Sequence, residues 1–232
     1  MSRIMWTMSL ALAVVLCAAA DDKIAEPQTG ETFDAQVKGV TPGVTLTCTG
    51  VGCRKKTVFA VKVYAIAQWV DAQGARKALS EWQGKSGKDL ATDQRFYDAL
   101  SSADIEKRLG LVFVRDLEAE KIRDAFRESL KFSYEKELSP TAEQFLALFT
   151  TDVKKGQSIE LRSLPGGVIE VQQNGATLGR LAADPELATA VWAIYFHKKL
   201  ADDYLETVKH ELVSRIDAIW SPGAGPSPSS GS

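Results

Sequence analysis

A strict alternation of side chains at 61–70 constrains the fold of this chain more than any other feature. Every second residue from Val61 to Trp69 is apolar, whereas the residues between them are mixed in polarity. Because successive side chains of a strand point to opposite faces, this period of two predicts a long strand with one apolar face. A Gly-x-Gly-x-Arg segment at 50–54 precedes it and predicts a turn that presents Arg54. Arg54 and Tyr64 are the two polar groups here that could serve a ligand.

The charge of the chain argues against several classes of partner. The formal net charge is -2, from 28 Lys and Arg against 30 Asp and Glu, and the two signs are interspersed. A nucleic-acid binder usually carries a basic stripe, so we expect no nucleic-acid partner. The two histidines, His197 and His210, lack a third ligand in the sequence around them. We therefore expect neither a metal site nor a cofactor.

The first 20 residues predict a secretory signal peptide. Arg3 provides a positive start, and the apolar run at 8–20 ends in three alanines. Cys17 raises a lipoprotein alternative, but Leu16 before it is not the small residue that a lipobox requires. The run is too short for a membrane span. We expect cleavage after Ala20, a periplasmic or secreted location, and no membrane span in the mature chain.

Two cysteines, Cys48 and Cys53, remain after such a cleavage. An oxidising compartment would allow them to pair. If the four residues at 49–52 form a hairpin loop, the two cysteines lie opposite each other at a distance that a disulfide can bridge. The alternative is two free thiols, and of the two we expect the disulfide.

The order of the predicted elements indicates an α+β protein. Strands are expected near 33–37, 44–48, 61–70, 105–114, 158–162, 167–172 and 176–181, and helices near 72–82, 90–100, 116–138, 139–149, 187–197 and 200–216. A parallel doubly wound sheet would alternate strands with helices throughout. Asn174-Gly175 is a strong hairpin signal. We expect a flexible segment at 21–30, one domain at 31–220 and a disordered tail at 221–232.

Several segments, in this order and spacing, resemble the chalcone isomerase superfamily and most of all its bacterial chalcone isomerase-like proteins. They lie at 50–54 (Gly-x-Gly-x-Arg), 62–65 (Lys-Val-Tyr-Ala), 145–149, 155–156, 161–167, 174–175 and 187–196. The resemblance covers roughly residues 30–215. It implies an open-faced β-sandwich, in which helices cover one face of a large antiparallel sheet. The ligand cleft then lies between the long strand and the long helix at 116–138.

The polar residues of the isomerases carry over only in part. As the family is understood, the motif arginine guides the reacting anion, and it falls on Arg54. A strand threonine of the enzymes falls on Tyr64. Their helix tyrosine, helix asparagine and late threonine fall near Ile122, Ser129 and Ile194. Because most of the polar apparatus is missing, the resemblance implies a non-catalytic member of the superfamily.

The remaining arginine and tyrosine suit an amphiphilic acid. A guanidinium forms a fork that matches a carboxylate, and a phenol adds a donor. Some plant members of the superfamily bind fatty acids with an arginine and a tyrosine. The prediction is an exported monomer that binds a fatty acid or similar apolar acid. Arg54 and Tyr64 would hold the carboxylate, and Leu117, Ile122 and Phe126 would line the alkyl chain.

Two other functions stay open at this point. One is an intramolecular lyase or isomerase that acts on a chalcone-like enone through Arg54 and Tyr64. The other is a scaffold protein without a ligand, which a filled core between sheet and long helix would favour. An arginine after a tight turn is more often a surface charge. One residue of strand register also reverses the face to which Tyr64 points.

Overall fold

The fold is described from a computed structural model, which defines residues 22–56, 59–134 and 137–221. The predicted signal peptide and the predicted tail from residue 222 onwards lie outside these residues. The strands are β1 (Lys23–Ala25), β2 (Thr32–Asp34), β3 (Gln36–Lys38), β4 (Thr45–Lys56), β5 (Val61–Asp71), β6 (Lys107–Phe113), β7 (Ser158–Leu164), β8 (Val168–Gln173) and β9 (Ala176–Arg180). The helices are α1 (Ala72–Ala78), α2 (Gly87–Leu90), α3 (Gln94–Ser102), α4 (Ala119–Tyr134), α5 (Pro140–Ala147), α6 (Pro185–Phe196) and α7 (Asp203–Glu211), with 3-10 turns at Ser80–Trp82 and Ile216–Trp220.

Seven strands form one antiparallel sheet in chain order, from β3 to β9. Strands β1 and β2 pair separately as a short hairpin. The predicted Asn174-Gly175 hairpin joins β8 to β9, with φ of 51° at Asn174 and 78° at Gly175. Positive φ at both central residues is the requirement of a type I′ turn, which Asn-Gly meets at low cost. The α+β class and the large antiparallel sheet are confirmed.

The predicted turn at 49–52 is wrong, because β4 runs through it without a break. Neither Gly50 nor Gly52 adopts a positive φ. A Cβ on Gly50 would lie 2.1 Å from the main-chain oxygen of Glu211, and one on Gly52 would lie 2.5 Å from its Oε2. These glycines therefore make room for the end of α7 against the sheet. The chain reverses instead between Lys56 and Val61.

The predicted disulfide between Cys48 and Cys53 is also wrong. Both cysteines are free and buried. They lie five residues apart in one strand, about 16 Å at the rise of an extended chain, and a disulfide requires their Cα atoms to be within about 7 Å. Burial raises the pKa of each thiol to about 11. Both are therefore protonated at neutral pH and poor nucleophiles.

The segment expected to be flexible at 21–30 instead contains β1 and an ordered turn. Ile24 pairs with Phe33 in the ladder between β1 and β2. Glu26 is fully buried, and its carboxylate accepts hydrogen bonds from the main-chain N–H groups of Gln28 and Thr29. A buried carboxylate requires such donors, and here they close the turn locally. This bonding gives a polar sequence a defined structure.

Strand β5 is buried on both of its faces. Ala67 and Trp69 pack with Phe33 of the β1–β2 hairpin in a small second core. Ile66 and Val70 face the main core, to which all the longer helices contribute. Ala65, Ala67 and Trp69 of the predicted apolar row therefore lie against the N-terminal hairpin. Val63, from the same row, packs against the main core, as do Tyr64 and Ile66 of the mixed row. This arrangement directs Tyr64 towards the helical layer.

Three helices converge near the ends of β4 and β5. Helix α6 is the most buried of them, with Trp192, Tyr195 and Phe196 excluded from solvent. It packs against α3 and α4, while α7 packs along β4. An aromatic cluster of Phe126, Phe145 and Phe149, with ring centroids 4.9–5.6 Å apart, anchors α4 to α5. The candidate site lies where α4, α6 and α7 meet the sheet.

Candidate functional site

Two adjoining spaces open between the strand ends and α4. The outer groove has a volume of about 730 Å³, with Val61, Val63, Leu117 and Lys121 in its walls. The inner cavity lies beneath it, has a volume of about 50 Å³ and extends to α6. Both spaces are lined by Arg54, Lys56, Tyr64, Leu117, Ala125 and Glu128. A volume of the groove's size is typical of small-molecule sites, whereas the inner cavity has room for only a few water molecules.

Arg54 lies on β4 directly opposite Tyr64 on β5. Its side chain is buried, and the guanidinium binds Asp202 through two parallel hydrogen bonds, Nη1 to Oδ1 at 2.6 Å and Nη2 to Oδ2 at 2.5 Å. Burial is the largest single influence and disfavours the guanidinium charge, but the hydrogen bond to Asp202 and the charge interactions with Asp202 and the two tyrosines together outweigh it, so the pKa of Arg54 is raised. The fork of Arg54 is therefore a formed carboxylate site that an internal carboxylate occupies.

Asp202 is at the same time the N-cap of α7. Its Oδ1 accepts hydrogen bonds from the main-chain N–H groups of Tyr204 at 3.1 Å and Leu205 at 3.2 Å. Burial is the largest single influence and opposes its ionisation, but the hydrogen bond from Arg54, the attraction to its charge and the two capping hydrogen bonds together outweigh burial, so the pKa of Asp202 is lowered. Asp202 is thus a carboxylate that both starts a helix and neutralises Arg54.

A pair of tyrosines forms the polar end of the inner cavity. The hydroxyl of Tyr64 lies 2.9 Å from that of Tyr195 on α6. Burial raises the pKa of Tyr64 and raises that of Tyr195 well above its ordinary value. Both phenols are therefore neutral at physiological pH. Since their shared hydrogen bond uses one of the two hydroxyl protons, the other proton can be donated to a ligand.

The apolar residues of the predicted site lie together as expected. Ile122 and Phe126 are buried in the wall of the inner cavity, and half-buried Leu117 borders both spaces. Ile122 is joined there by Ser129 and Ile194, the three positions that align with polar residues of the isomerases. The structure thus brings the predicted residues into one site. Their roles in binding stay predictions.

Sequence inspection missed Asp202 and Tyr195. Asp202 precedes an amphipathic segment, which marks an N-cap but not a partner for Arg54. Tyr195 is the neighbour of Ile194, the position near which the late threonine of the isomerases falls, so the resemblance pointed to a place one residue away from Tyr195. Both residues contact their partners only through the tertiary fold.

Neither a cluster of metal ligands nor a membrane-spanning helix occurs in the part of the chain that the structure describes. Within 22–56, 59–134 and 137–221, no group of three or more His, Cys, Asp or Glu residues is placed to hold a metal ion. In the same residues, no helix combines the length and hydrophobicity needed to cross a bilayer.

Comparison with known families identifies the fold and its relatives. The family model described as chalcone isomerase-like matches residues 87–212, more than half of the chain. Arg54 and Tyr64 lie before this span. The chain is 27% identical over 204 residues to fatty-acid-binding protein 1 of Arabidopsis thaliana, covering 81% of this chain and 71% of that protein. It is 42% identical over 57 residues to chalcone isomerase-like protein 2 of Humulus lupulus, covering 25% of this chain and 27% of that one.

A solved structure shares the architecture. The crystal structure of an Arabidopsis thaliana fatty-acid binding protein, AtFAP1, superimposes with a TM-score of 0.67. The match covers 85% of this chain and 100% of that one at 22% sequence identity. The helices and the antiparallel sheet described above are thus those of a known fold.

Proposed function

The chain belongs to the chalcone isomerase-like family, and we propose that it is a non-catalytic member that binds a fatty acid or a similar apolar carboxylic acid. One observation carries the proposal: the buried fork of Arg54 already holds a carboxylate, that of Asp202, where the outer groove meets the inner cavity. Similarity to fatty-acid-binding protein 1 of Arabidopsis thaliana supports the same ligand class.

The ligand carboxylate would take the place of the Asp202 carboxylate on Arg54. It would make the same two parallel hydrogen bonds, which are charge-assisted and specific in geometry. Asp202 would keep its capping bonds to Tyr204 and Leu205, so α7 need not unwind. Tyr64 could add one further hydrogen bond from its hydroxyl group.

The alkyl chain would lie in the outer groove. Val61, Val63, Leu117 and Ala125 provide apolar wall. Most of the other lining residues are charged and of both signs: Arg54, Lys56, Arg115, Lys121 and Lys154, and Asp116, Glu118, Asp124, Glu128 and Asp152. The inner cavity is too small for an alkyl chain unless α4 moves away from the sheet. The groove therefore accommodates the chain, and the inner cavity holds the polar end of the site.

The side chains of the inner cavity support binding without catalysis. An isomerase needs polar groups to position water and substrate where this chain has Ile122, Ser129 and Ile194. The neutral phenols of Tyr64 and Tyr195 are poor bases at physiological pH, because burial raises the pKa of both. The site can recognise an acid group but offers little for proton transfer.

We also propose that the protein acts after export, as a monomer in the periplasm or outside the cell. The charged start, short apolar run and alanine-rich end of residues 1–20 support a cleaved signal peptide. Mass spectrometry of the natively expressed protein would test the cleavage after Ala20. Size-exclusion chromatography with light scattering would test the monomer.

A single set of binding measurements tests the main proposal. The mature chain would be purified, its co-purifying lipids extracted and identified, and the delipidated protein titrated with a long-chain fatty acid. Arg54→Ala should weaken binding by about 1.5–3 kcal/mol, the range for a hydrogen bond to a charged group. Arg95→Ala serves as the control, since Arg95 is an exposed arginine on α3 that pairs with Glu81.

The outcomes separate the candidate functions. An unchanged affinity in Arg54→Ala would contradict the role of that residue. A wild-type protein that is purified empty and takes up no fatty acid would contradict the binding proposal and favour a scaffold. Turnover of a chalcone by the wild-type protein would instead establish an isomerase.

A further inference from the structure

The turn between β4 and β5 exposes an aromatic side chain beside the outer groove. Phe59 is 85% exposed, whereas the next most exposed large hydrophobic residues among those described, Val40 and Phe132, reach 38%. Burying an aromatic ring contributes more than burying most other side chains, so an isolated ring in water is unfavourable without a partner. Phe59 is therefore a candidate contact residue.

The same turn is strongly basic. No Asp or Glu occurs at 35–70, and the turn carries Lys55, Lys56 and Lys62 besides Arg54. Arg54 is neutralised by Asp202. Within the residues that the structure describes, none of the three lysines forms a salt bridge. Phe59 and these three lysines are called the hairpin tip below.

Two of the lysines stand directly opposite each other. Lys55 pairs with Lys62 across the β4–β5 ladder. Like charges at opposed positions destabilise an antiparallel pair, so this arrangement costs stability in the isolated protein. The Nζ of Lys62 donates to the main-chain oxygen of Gln28, which is neutral. An anionic partner would remove the repulsion.

Two carboxylates near this end of the sheet are already engaged. Glu26 accepts from Gln28 and Thr29, and Glu211 accepts from the main-chain N–H of Cys53 at 3.2 Å. Neither bridges to a lysine of the hairpin tip. Glu211 interacts with Lys55 only through its charge, and Glu128 lines the same two spaces as Lys56. Since none of these carboxylates forms a salt bridge with the three lysines in the described residues, the ammonium groups of the tip can bind an external anion.

The hairpin tip also borders the entrance to the proposed ligand site. Lys56 and Val61 line the outer groove, and Phe59 lies between them in the chain. A molecule that leaves the groove along β5 passes this turn. An acyl chain could thus move between the groove and whatever surface the tip contacts.

We propose that the hairpin tip docks onto the surface of an anionic lipid bilayer. Phe59 enters the boundary between head groups and acyl chains, and the three lysines contact anionic head groups. Each basic residue near such a surface adds attraction, and an aromatic ring favours the interface. A protein partner would need a matching pocket for one ring, whereas a bilayer accepts it anywhere. Docking stands independently of the proposed ligand, and only the transfer of lipid into the groove rests on the proposed function.

Vesicle flotation of the mature chain tests this inference. Vesicles would contain phosphatidylcholine alone or equal parts of phosphatidylcholine and phosphatidylglycerol. We expect binding to the anionic vesicles, with loss at high salt because exposed charges are screened. Phe59→Ser should lower the partition coefficient about fivefold or more, and Phe132→Ser on α4 should leave it unchanged.

A charge variant separates docking from stability. Lys55→Glu should lower partitioning about fivefold or more, since it reverses one charge at the surface. It replaces the like-charge pair with an opposite-charge pair facing Lys62. It also exchanges the attraction between Lys55 and Glu211 for a repulsion, so the two effects oppose each other, and urea unfolding of the variant checks that it stays folded under the flotation conditions. Lys88→Glu on α2 is the control, because it makes the same change in charge away from the hairpin tip. Helix α2 packs against Val213 and Ser214, which follow the C-terminal end of α7.

The results are decisive in either direction. No flotation of the wild-type protein would overturn the inference, as would equal binding by wild type, Phe59→Ser and Lys55→Glu. Equal losses in the two control variants would overturn it too. Fatty-acid titration in solution should be unchanged in Phe59→Ser and Lys55→Glu. Vesicle binding without fatty-acid uptake would therefore refute only the proposed ligand. Fatty-acid uptake without vesicle binding would refute only the docking.

Discussion

Two buried cations on the same sheet, Arg54 on β4 and Lys107 on β6, have very different surroundings. Arg54 binds a side-chain carboxylate, that of Asp202, and borders two open spaces. The Nζ of Lys107 instead donates to three main-chain oxygens, at 3.1 Å to Leu100, 2.7 Å to Ser101 and 2.9 Å to Ala103. Only the first arrangement leaves the cation accessible to a ligand.

The two cations differ in accessibility because they bind different kinds of hydrogen-bond acceptor. The last carbonyls of a helix have no partner within it and form the negative end of its dipole. Lys107 satisfies them at the end of α3, beneath the ring of Trp192 at 5.1 Å. Main-chain oxygens cannot move away without unwinding a helix, whereas a ligand carboxylate can replace the Asp202 carboxylate on Arg54 while Asp202 keeps its capping bonds to Tyr204 and Leu205. Burial of a charge therefore does not identify a site; an exchangeable partner beside open space does.

Replacing Lys107 should have the largest effect on stability. Lys107→Met keeps the apolar stem but leaves three buried carbonyls without a donor, so we expect a loss of about 3 kcal/mol. Urea unfolding measures it, with Lys88→Met on the surface as the control. Fatty-acid affinity should be unchanged in both variants. A variant as stable as wild type would show that the carbonyls find other donors.

The pH dependence of stability sharpens the contrast. Burial lowers the pKa of Lys107 to about 7 from its ordinary 10.5. Between these values the unfolded chain binds more protons than the folded one, so stability should rise with pH across this window. The cost of burying the charge is present in full below about pH 7. Lys107→Met should lack this rise, and urea midpoints of both proteins across the window measure the difference.

An absent difference, or one of opposite sign, would mean that the three carbonyls and Trp192 stabilise the ammonium form more than burial destabilises it. Arg54, the other buried cation, should not contribute to the pH dependence of stability. Its bond to Asp202 raises its pKa, so no contribution from its titration is expected in this range.

The smallest effect is expected from the partner of Arg54. Asp202→Asn retains an N-cap side chain but removes the carboxylate that competes for the guanidinium. Fatty-acid affinity should rise by roughly 1 kcal/mol, about fivefold, since Asp202 is partly exposed and such ion pairs are weak. Isothermal titration measures the gain.

Asp203→Asn is the matched control for that variant. Asp203 is exposed in the first turn of α7, and its replacement makes the same change in net charge. An equal gain in both variants would indicate general electrostatics and not competition at Arg54. A loss of affinity in Asp202→Asn would mean that Asp202 helps to position Arg54 for the ligand.

Much of the fold could be predicted because its signals are local. The alternation at 61–70, the Asn174-Gly175 turn and Pro140 at the start of α5 each specify a conformation from neighbouring residues. The errors involve distant contacts. A Gly-x-Gly segment predicts a turn, but Gly50 and Gly52 lie in a strand and are required because α7 packs closely against them. Helix α7 follows more than 150 residues later, so the local sequence does not reveal this contact. The disulfide followed from the same mistaken turn.

The sequence by itself determined the α+β class, the long strand, the family resemblance and the candidate residues Arg54 and Tyr64, since each depends on residue type and short-range spacing. Only the tertiary structure decided that Tyr64 faces the helices and which partners these groups have. Asp202 is 148 residues from Arg54, and Tyr195 is 131 residues from Tyr64. Such pairs depend on how α6 and α7 pack against the sheet, and no local pattern encodes a packing that arises from the burial of the whole core.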